Sequence, residues 1–172
     1  MNENEVDKKL SYMHFKPFNE TKHTNDWHFA MPEGEQIEAV ALGNDWAAVC
    51  TDAKHVRVFS LEGQQKYILQ QASQIVTMAG YENLLVIIYH SGVPLYEYQQ
   101  MNCKIIDTNT YTTLYDSQCP VSIASDLTWV GFSEEGLLTT MDSNGIIQGF
   151  NFKNKQWIPI LDLKTKYPST FR

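Results

Sequence analysis

Catalytic signatures are what this sequence most conspicuously lacks. No G-x-S-x-G elbow, P-loop, H-E-x-x-H motif or glycine-rich dinucleotide fingerprint occurs in its 172 residues, which removes the commonest marks of nucleophilic hydrolysis, nucleotide binding and zinc proteolysis. Cysteine is scarce: Cys50, Cys103 and Cys119 are odd in number, widely spaced and without a C-x-x-C pair. They read as reduced structural thiols, not as a disulfide framework or zinc ligands. Basic charge is scarce as well, with 13 Lys and Arg against 20 Asp and Glu for a formal net charge of −7. Lys8-Lys9 and the Lys153 to Lys166 region are the densest basic places, and neither interleaves aromatics in the manner of a single-strand binder. Long-range electrostatics therefore repel a phosphate backbone, and no direct nucleic-acid contact is expected. No apolar run approaches the roughly 18 residues of a membrane-spanning helix, and the acidic, polar Met1 to Lys9 is unlike a signal peptide. The expectation is a cytosolic or nuclear chain without a membrane partner, in which the sequon Asn19-Glu20-Thr21 is chance.

What the sequence does have is apolar material in short runs. Hydrophobic residues make up 43% and aromatics 12%, enough to core one domain and not two. They recur with period two over about five residues, broken by Gly, Asn, Asp and Ser, the signature of many short strands. Strands are predicted at 10–15, 27–31, 37–42, 46–51, 55–60, 66–69, 75–79 and 84–90. Others are predicted at 104–107, 111–115, 128–132, 137–141, 146–150 and 157–161. Gly43-Asn44-Asp45, Glu62-Gly63, Ser91-Gly92, Glu135-Gly136 and Asp142-Ser143-Asn144-Gly145 supply turn residues that tolerate positive φ between them.

Strands alone would also suit a two-sheet sandwich; a repeat decides otherwise. Ile37 to Leu69, Ile75 to Tyr115 and Thr128 to Leu161 each carry four predicted strands, and their first strands begin 38 and 53 positions apart. That spacing is close to the roughly 40–50 residues of a propeller blade. Longer gaps fall to loop insertions near Val93 to Asn102 and Gln118 to Asp126. The fold expected is all-β, a partial β-propeller of about three complete four-stranded blades plus half a blade. Residues 1–9 form a flexible N-terminus, 10–161 the propeller (half blade 10–31, blades about 37–69, 75–115 and 128–161), and 162–172 a truncated extension. A closed propeller needs about four to eight blades, so the array is expected to be a fragment or to close on another chain. Its unpaired strand edges imply an oligomeric or poorly soluble isolated chain.

No catalytic, cofactor-binding or metal-ligating residue is assigned. His14 and His28 lie in opposite strands of the first hairpin, but the five histidines lack ligand spacing. His90 reads as a turn anchor rather than a base, and Glu134-Glu135 as a solvated turn whose side chains diverge. Trp46, Trp129 and Trp157 read as packing between neighbouring blades, and Trp27 as a residue that exposure would make an interface anchor. A propeller enzyme would need carboxylates or histidines on successive inner strands, where this chain has Ile, Val, Ala, Thr and Met.

Several runs carry a resemblance: Ile37-Glu38-Ala39-Val40-Ala41-Leu42-Gly43 with Trp46-Ala47-Ala48, Val76-Thr77-Met78-Ala79-Gly80, Tyr89-His90-Ser91-Gly92, and Leu127-Thr128-Trp129-Val130-Gly131-Phe132-Ser133 with Glu135-Gly136. Asp142-Ser143-Asn144-Gly145-Ile146 and Trp157-Ile158-Pro159-Ile160 continue them in order. Together they resemble the middle, second propeller of the trimeric replisome hub family known as chromosome transmission fidelity, minichromosome loss, or WD-repeat and HMG-box DNA-binding protein. The resemblance implies a non-catalytic nuclear scaffold of DNA replication, a six-bladed propeller that helps form a homotrimer, and partners in the helicase complex and DNA polymerase α–primase. In that family the partner peptides dock on a helical domain absent from this chain. The alternative is a generic WD-type protein-binding propeller unrelated to replication.

Overall fold

The computed structural model describes residues 10–18, 25–92 and 99–166. Its elements are β1 (Tyr12–Phe15), β2 (Trp27–Ala30), β3 (Ile37–Leu42), β4 (Trp46–Thr51), β5 (His55–Ser60), β6 (Gln65–Gln70), β7 (Ile75–Tyr81) and β8 (Leu84–His90). They continue with β9 (Met101–Asp107), β10 (Thr112–Cys119), β11 (Leu127–Phe132), β12 (Leu138–Asp142), β13 (Ile146–Asn151), β14 (Gln156–Asp162) and one helical turn, α1 (Leu163–Lys166). Strands β3 to β6, β7 to β10 and β11 to β14 form three antiparallel meanders, here blades 1, 2 and 3, while among the described residues β1 pairs with β2 alone.

The turns that make the meanders are of two kinds. Gly63, Gly136 and Gly145 take positive φ as expected, but Lys54, Glu82, Tyr111 and Lys155 reach the left-handed region without being glycine, which a sequence reading based on glycine cannot anticipate. Every inner pair carries a β-bulge at the same place, where the register skips Glu38, Val76 and Thr128. A bulge there sharpens the twist of each blade. It also aligns the blades residue by residue: Val40, Met78 and Val130 are equivalent, as are Ala47, Leu85 and Leu138.

Blades pack face to face because their strands alternate sides. In β8, Leu85 and Ile87 meet Val56 and Val58 of blade 1, while Val86 and Ile88 meet Leu138 and Phe150 of blade 3. Both faces being covered, the strand reads as an unbroken apolar run, L-L-V-I-I. The inner strands approach closely beside the axis. A Cβ at Gly80 would run into the Leu42 carbonyl and one at Gly43 into the Glu82 carbonyl, so both positions require the bare backbone. The half blade packs on blade 1 through Phe29, which lies 4.8 Å from the Phe59 ring, over the buried Met31 and Val49.

Several boundaries differ from expectation. The first strand starts at Tyr12, β9 already at Met101, and β10 runs on to Cys119, so both insertions are shorter than predicted because their polar ends pair with a neighbouring strand. Asp162 closes β14 and residues 163–166 turn helically. The expected flexible 1–9 and most of the 19–25 loop lie outside the described residues. One packing assignment is overturned. Trp129 is 46% exposed, its ring lying over Gly131 on the outward face of blade 3, where no further blade covers it among the described residues.

Candidate functional site

The remaining aromatics do join blades. Trp46 is buried and its Nε1 donates to the Glu82 carbonyl of blade 2 at 2.7 Å. Trp157 packs edge-on against Phe150 at 5.1 Å within the blade 2–blade 3 core, and Phe132 stacks on Tyr81 across the same boundary at 5.2 Å. Trp27 is half-buried, stacked on Phe15 at 5.5 Å, with Nε1 donating to the Leu61 carbonyl at 2.8 Å. It fastens the half blade to blade 1 and is not a free anchor.

Of the residues weighed for chemistry, the structure brings the two histidines of the first hairpin side by side. His14 and His28 are direct cross-strand partners, with His14 Nε2 3.2 Å from Asp26, and no group of three potential metal ligands converges among the described residues. His90 ends β8, its backbone N–H donating to the Gln74 carbonyl. Glu135 accepts from Ser133 Oγ within its own turn, and the Glu134 carbonyl accepts from Tyr81.

What the structure does bring together is a polar cluster at the same corner of every blade. Thr51, Tyr89 and Asp142 stand at or one residue before the end of the second strand of a blade, each opposite the first residue of its inner strand. Each cluster reaches the segment that enters its blade. In blade 1, Glu35 accepts from Thr51 Oγ1 at 2.9 Å and from Arg57 Nη2 at 2.9 and 3.1 Å, with His55 Nδ1 at 3.1 Å. In blade 2, Tyr89 donates to Asp116 at 2.5 Å, and Lys104 reaches both Asp116 at 3.2 Å and Gln71 at 2.9 Å. In blade 3, Asp142 accepts from Ser122 Oγ at 2.5 Å and from the backbone N–H groups of Ser122, Asn144 and Ile146.

The electrostatics follow from these contacts. Burial opposes ionisation of Glu35, but hydrogen bonds from Thr51, Arg57 and His55 outweigh it and hold its carboxyl below the usual range. Asp142 behaves alike: burial opposes, and the donors of Ser122, Ile146 and Asn144 prevail. Tyr89 is pushed up by burial and by donating to Asp116. The buried thiols follow burial alone or nearly so, Cys50 rising to about 11 and Cys119 to about 12, which makes them inert at neutral pH. These clusters tie loops to strands; none presents an activated nucleophile beside a base.

Among the described residues, recesses that a partner could enter include the following. A polar one of about 630 Å³ lies at the blade 2 corner, lined by Gln99, Gln100, Asn102 and Gln118 among others. The other two are apolar. One, about 510 Å³, lies on the outward face of blade 3, over Leu137, Gly149, Ile158 and Ile160. The other, about 570 Å³, lies between β1 and the exposed side of β3. There Val40 is 61% exposed, whereas its blade 2 equivalent Met78 is 6% exposed under blade 1. The difference has a topological cause: β1 and β2 occupy the outer half of a blade, and among the described residues no inner pair stands beside them. Single residues betray none of this in the sequence; the signal available was the missing half of the repeat.

The family described as minichromosome loss protein, Mcl1, middle region, matches residues 2–170. The human WD repeat and HMG-box DNA-binding protein 1 is 32% identical over 163 residues, 93% of this chain and 14% of that protein. Protein ENHANCER OF LHP1 1 of Arabidopsis thaliana is 32% identical over 156 residues, 90% of this chain and 16% of that protein. This chain thus spans about one seventh of the curated relatives it matches. Among solved structures, HIRA(644-1017) superposes with a TM-score of 0.65 at 14% identity, covering 91% of this chain and 48% of that one.

Proposed function

The chain belongs to the family of the Mcl1 middle region, and from that premise we propose that it is a non-catalytic protein-interaction scaffold of the nuclear DNA replication machinery. The observation that carries this is the match over residues 2–170, borne on a WD-type propeller fold whose polar clusters serve its own corners. The coupling of helicase complex to DNA polymerase α–primase is part of the proposal, with this chain supplying architecture and other segments the peptide docking. DNA contact, named in the human relative, is assigned to other parts as well, since a net charge of −7 opposes phosphate binding. Association with the propeller of a second copy or of a larger assembly fits the apolar recesses at both ends.

The test is chromatin fractionation through the cell cycle with the tagged chain, beside an Ile88→Asp variant that places a charge in the blade 2–blade 3 core. Chromatin association in S phase that the variant loses, with co-purification of helicase and polymerase subunits, supports the reading. Association that is constant through the cycle, or that survives loss of the fold, refutes it. A generic protein-binding propeller would then stand.

A further inference from the structure

Blade 2 has a complete blade on each side, blade 1 against Leu85 and Ile87 and blade 3 against Val86 and Ile88, so its free outer edge owes nothing to where the array starts or stops. Among the described residues no strand pairs with the far side of β10. Outer edges are normally blunted by a Lys, a Pro or a short length. β6 carries Lys66 and β14 carries Pro159, whereas β10 has neither and, at eight residues, is the longest described strand. Its bulge, between Thr113 and Tyr115, lies near its start, and from Tyr115 to Cys119 the ladder is regular. That stretch offers a row of backbone donors and acceptors, the template for strand addition. Charge is distributed just as unevenly. Between Tyr67 and Phe152 stand eight acidic residues and one basic residue, Lys104, so the whole formal charge of −7 falls in this stretch and its flanks balance. Lys104 is itself 14% exposed and held by Asp116, which leaves blade 2 no free Lys or Arg among the described residues.

We propose that β10 takes an extended segment of a partner protein as a fifth strand of blade 2, and that this segment is basic, with a Lys or Arg side chain in the adjoining polar recess. A backbone edge alone accepts any extended chain; the charge of the surface around it selects a cationic one. The recess of about 630 Å³ opens beside the regular stretch of β10, with Asp116, Ser117, Gln118 and Gln99 in its wall. There Gln99 Oε1 is buried without a donor among the described residues, while its Nε2 donates to Asp126. Asp116 is 35% exposed, and its carboxylate keeps accepting capacity beyond the bonds from Tyr89 and Lys104. Both groups call for a donor, and the field favours one that carries positive charge. The proposal rests on the protein-interaction reading above and not on the replication role, so chromatin fractionation and peptide binding can fail separately.

The experiment is fluorescence anisotropy of the purified 172-residue chain with a labelled peptide of about six residues, the length of a common strand, in which Lys alternates with Val and Thr. Two control peptides carry Glu in place of Lys, or N-methyl groups on alternate backbone amides. The Lys peptide should bind, more weakly as salt rises, and each control should bind at least about tenfold more weakly, the first for lost charge and the second for lost ladder bonds. Gln118→Lys, at an exposed residue in the recess wall, should weaken the Lys peptide at least about fivefold. Gln156→Lys, the same change of charge at an exposed residue at the start of β14, should leave it unchanged. Thermal melts are expected to show both variants folded. No binding of the Lys peptide, equal binding of the N-methylated one, or equal weakening by the two variants overturns the proposal. Self-association of the chain that Gln118→Lys abolishes makes a second copy the occupant of the edge and overturns it as well.

Discussion

Leu137 and Leu138 are neighbours in sequence with opposite fates. Leu138 is fully buried between blades 2 and 3, whereas Leu137 is 40% exposed on the outward face of blade 3. Truncating Leu138 to Ala removes three carbons from a packed site, about 2.4 kcal/mol of transfer free energy at about 0.8 kcal/mol each. Incomplete collapse around the void adds to this, so a total of about 3–4 kcal/mol is expected. Leu137→Ala loses only the covered part of the same transfer term and opens no closed cavity, for at most about 1.5 kcal/mol. The assay is urea unfolding followed by tryptophan fluorescence, with wild type and both variants at the same low protein concentration. In a domain of this size the larger loss corresponds to roughly 6–15 °C in Tm. If the two variants unfold within about 0.5 kcal/mol of each other, the alternation of faces that defines the blade interfaces is wrong.

Other outcomes follow from the corners and close approaches. Glu35→Gln should cost about 2 kcal/mol at neutral pH by weakening the charged hydrogen bonds to the nearly buried Arg57. Because the folded-state pKa of Glu35 is depressed, its contribution is present above the unfolded value and lost as pH falls through the folded one. Wild type and Glu35→Gln should therefore converge in stability in acid, below the ordinary glutamate range; a gap that stays constant with pH refutes the ion-pair account. Gly80→Ala should destabilise by more than 2 kcal/mol, on the order of an overpacked core, since its Cβ meets the Leu42 backbone rather than a movable side chain; calorimetry showing no loss would refute the close approach of blades 1 and 2. The three thiols, all buried, should resist alkylation at pH 8 until urea unfolds the chain, and rapid native labelling of Cys50 or Cys119 would contradict their burial.

The fold was legible because each blade is a local object. A meander pairs only sequence neighbours, so period-two runs and turn residues locate the fourteen strands of the described residues, and the repeat of four locates the blades. Errors gathered where side chains give no signal: at Met101 and Cys119, whose pairing is decided by the opposite strand, and at Lys54, Glu82 and Tyr111, which hold turns without glycine. The corner clusters were not legible. Glu35 lies 16 residues from Thr51 and 22 from Arg57, and the three blades solve the same problem with three different chemistries, so no common motif exists to find.

Trp129 marks the division most clearly. The sequence by itself determined that the chain is all-β, that it repeats about three and a half times, and that an aromatic stands in the first strand of the last repeat, because those properties reside in alternation and turn chemistry along the chain. Whether that ring is core or surface was decided only by tertiary structure. Burial at a blade face depends on the presence of a neighbouring blade, and that is a property of the assembled array, which the residue and its flanks do not carry.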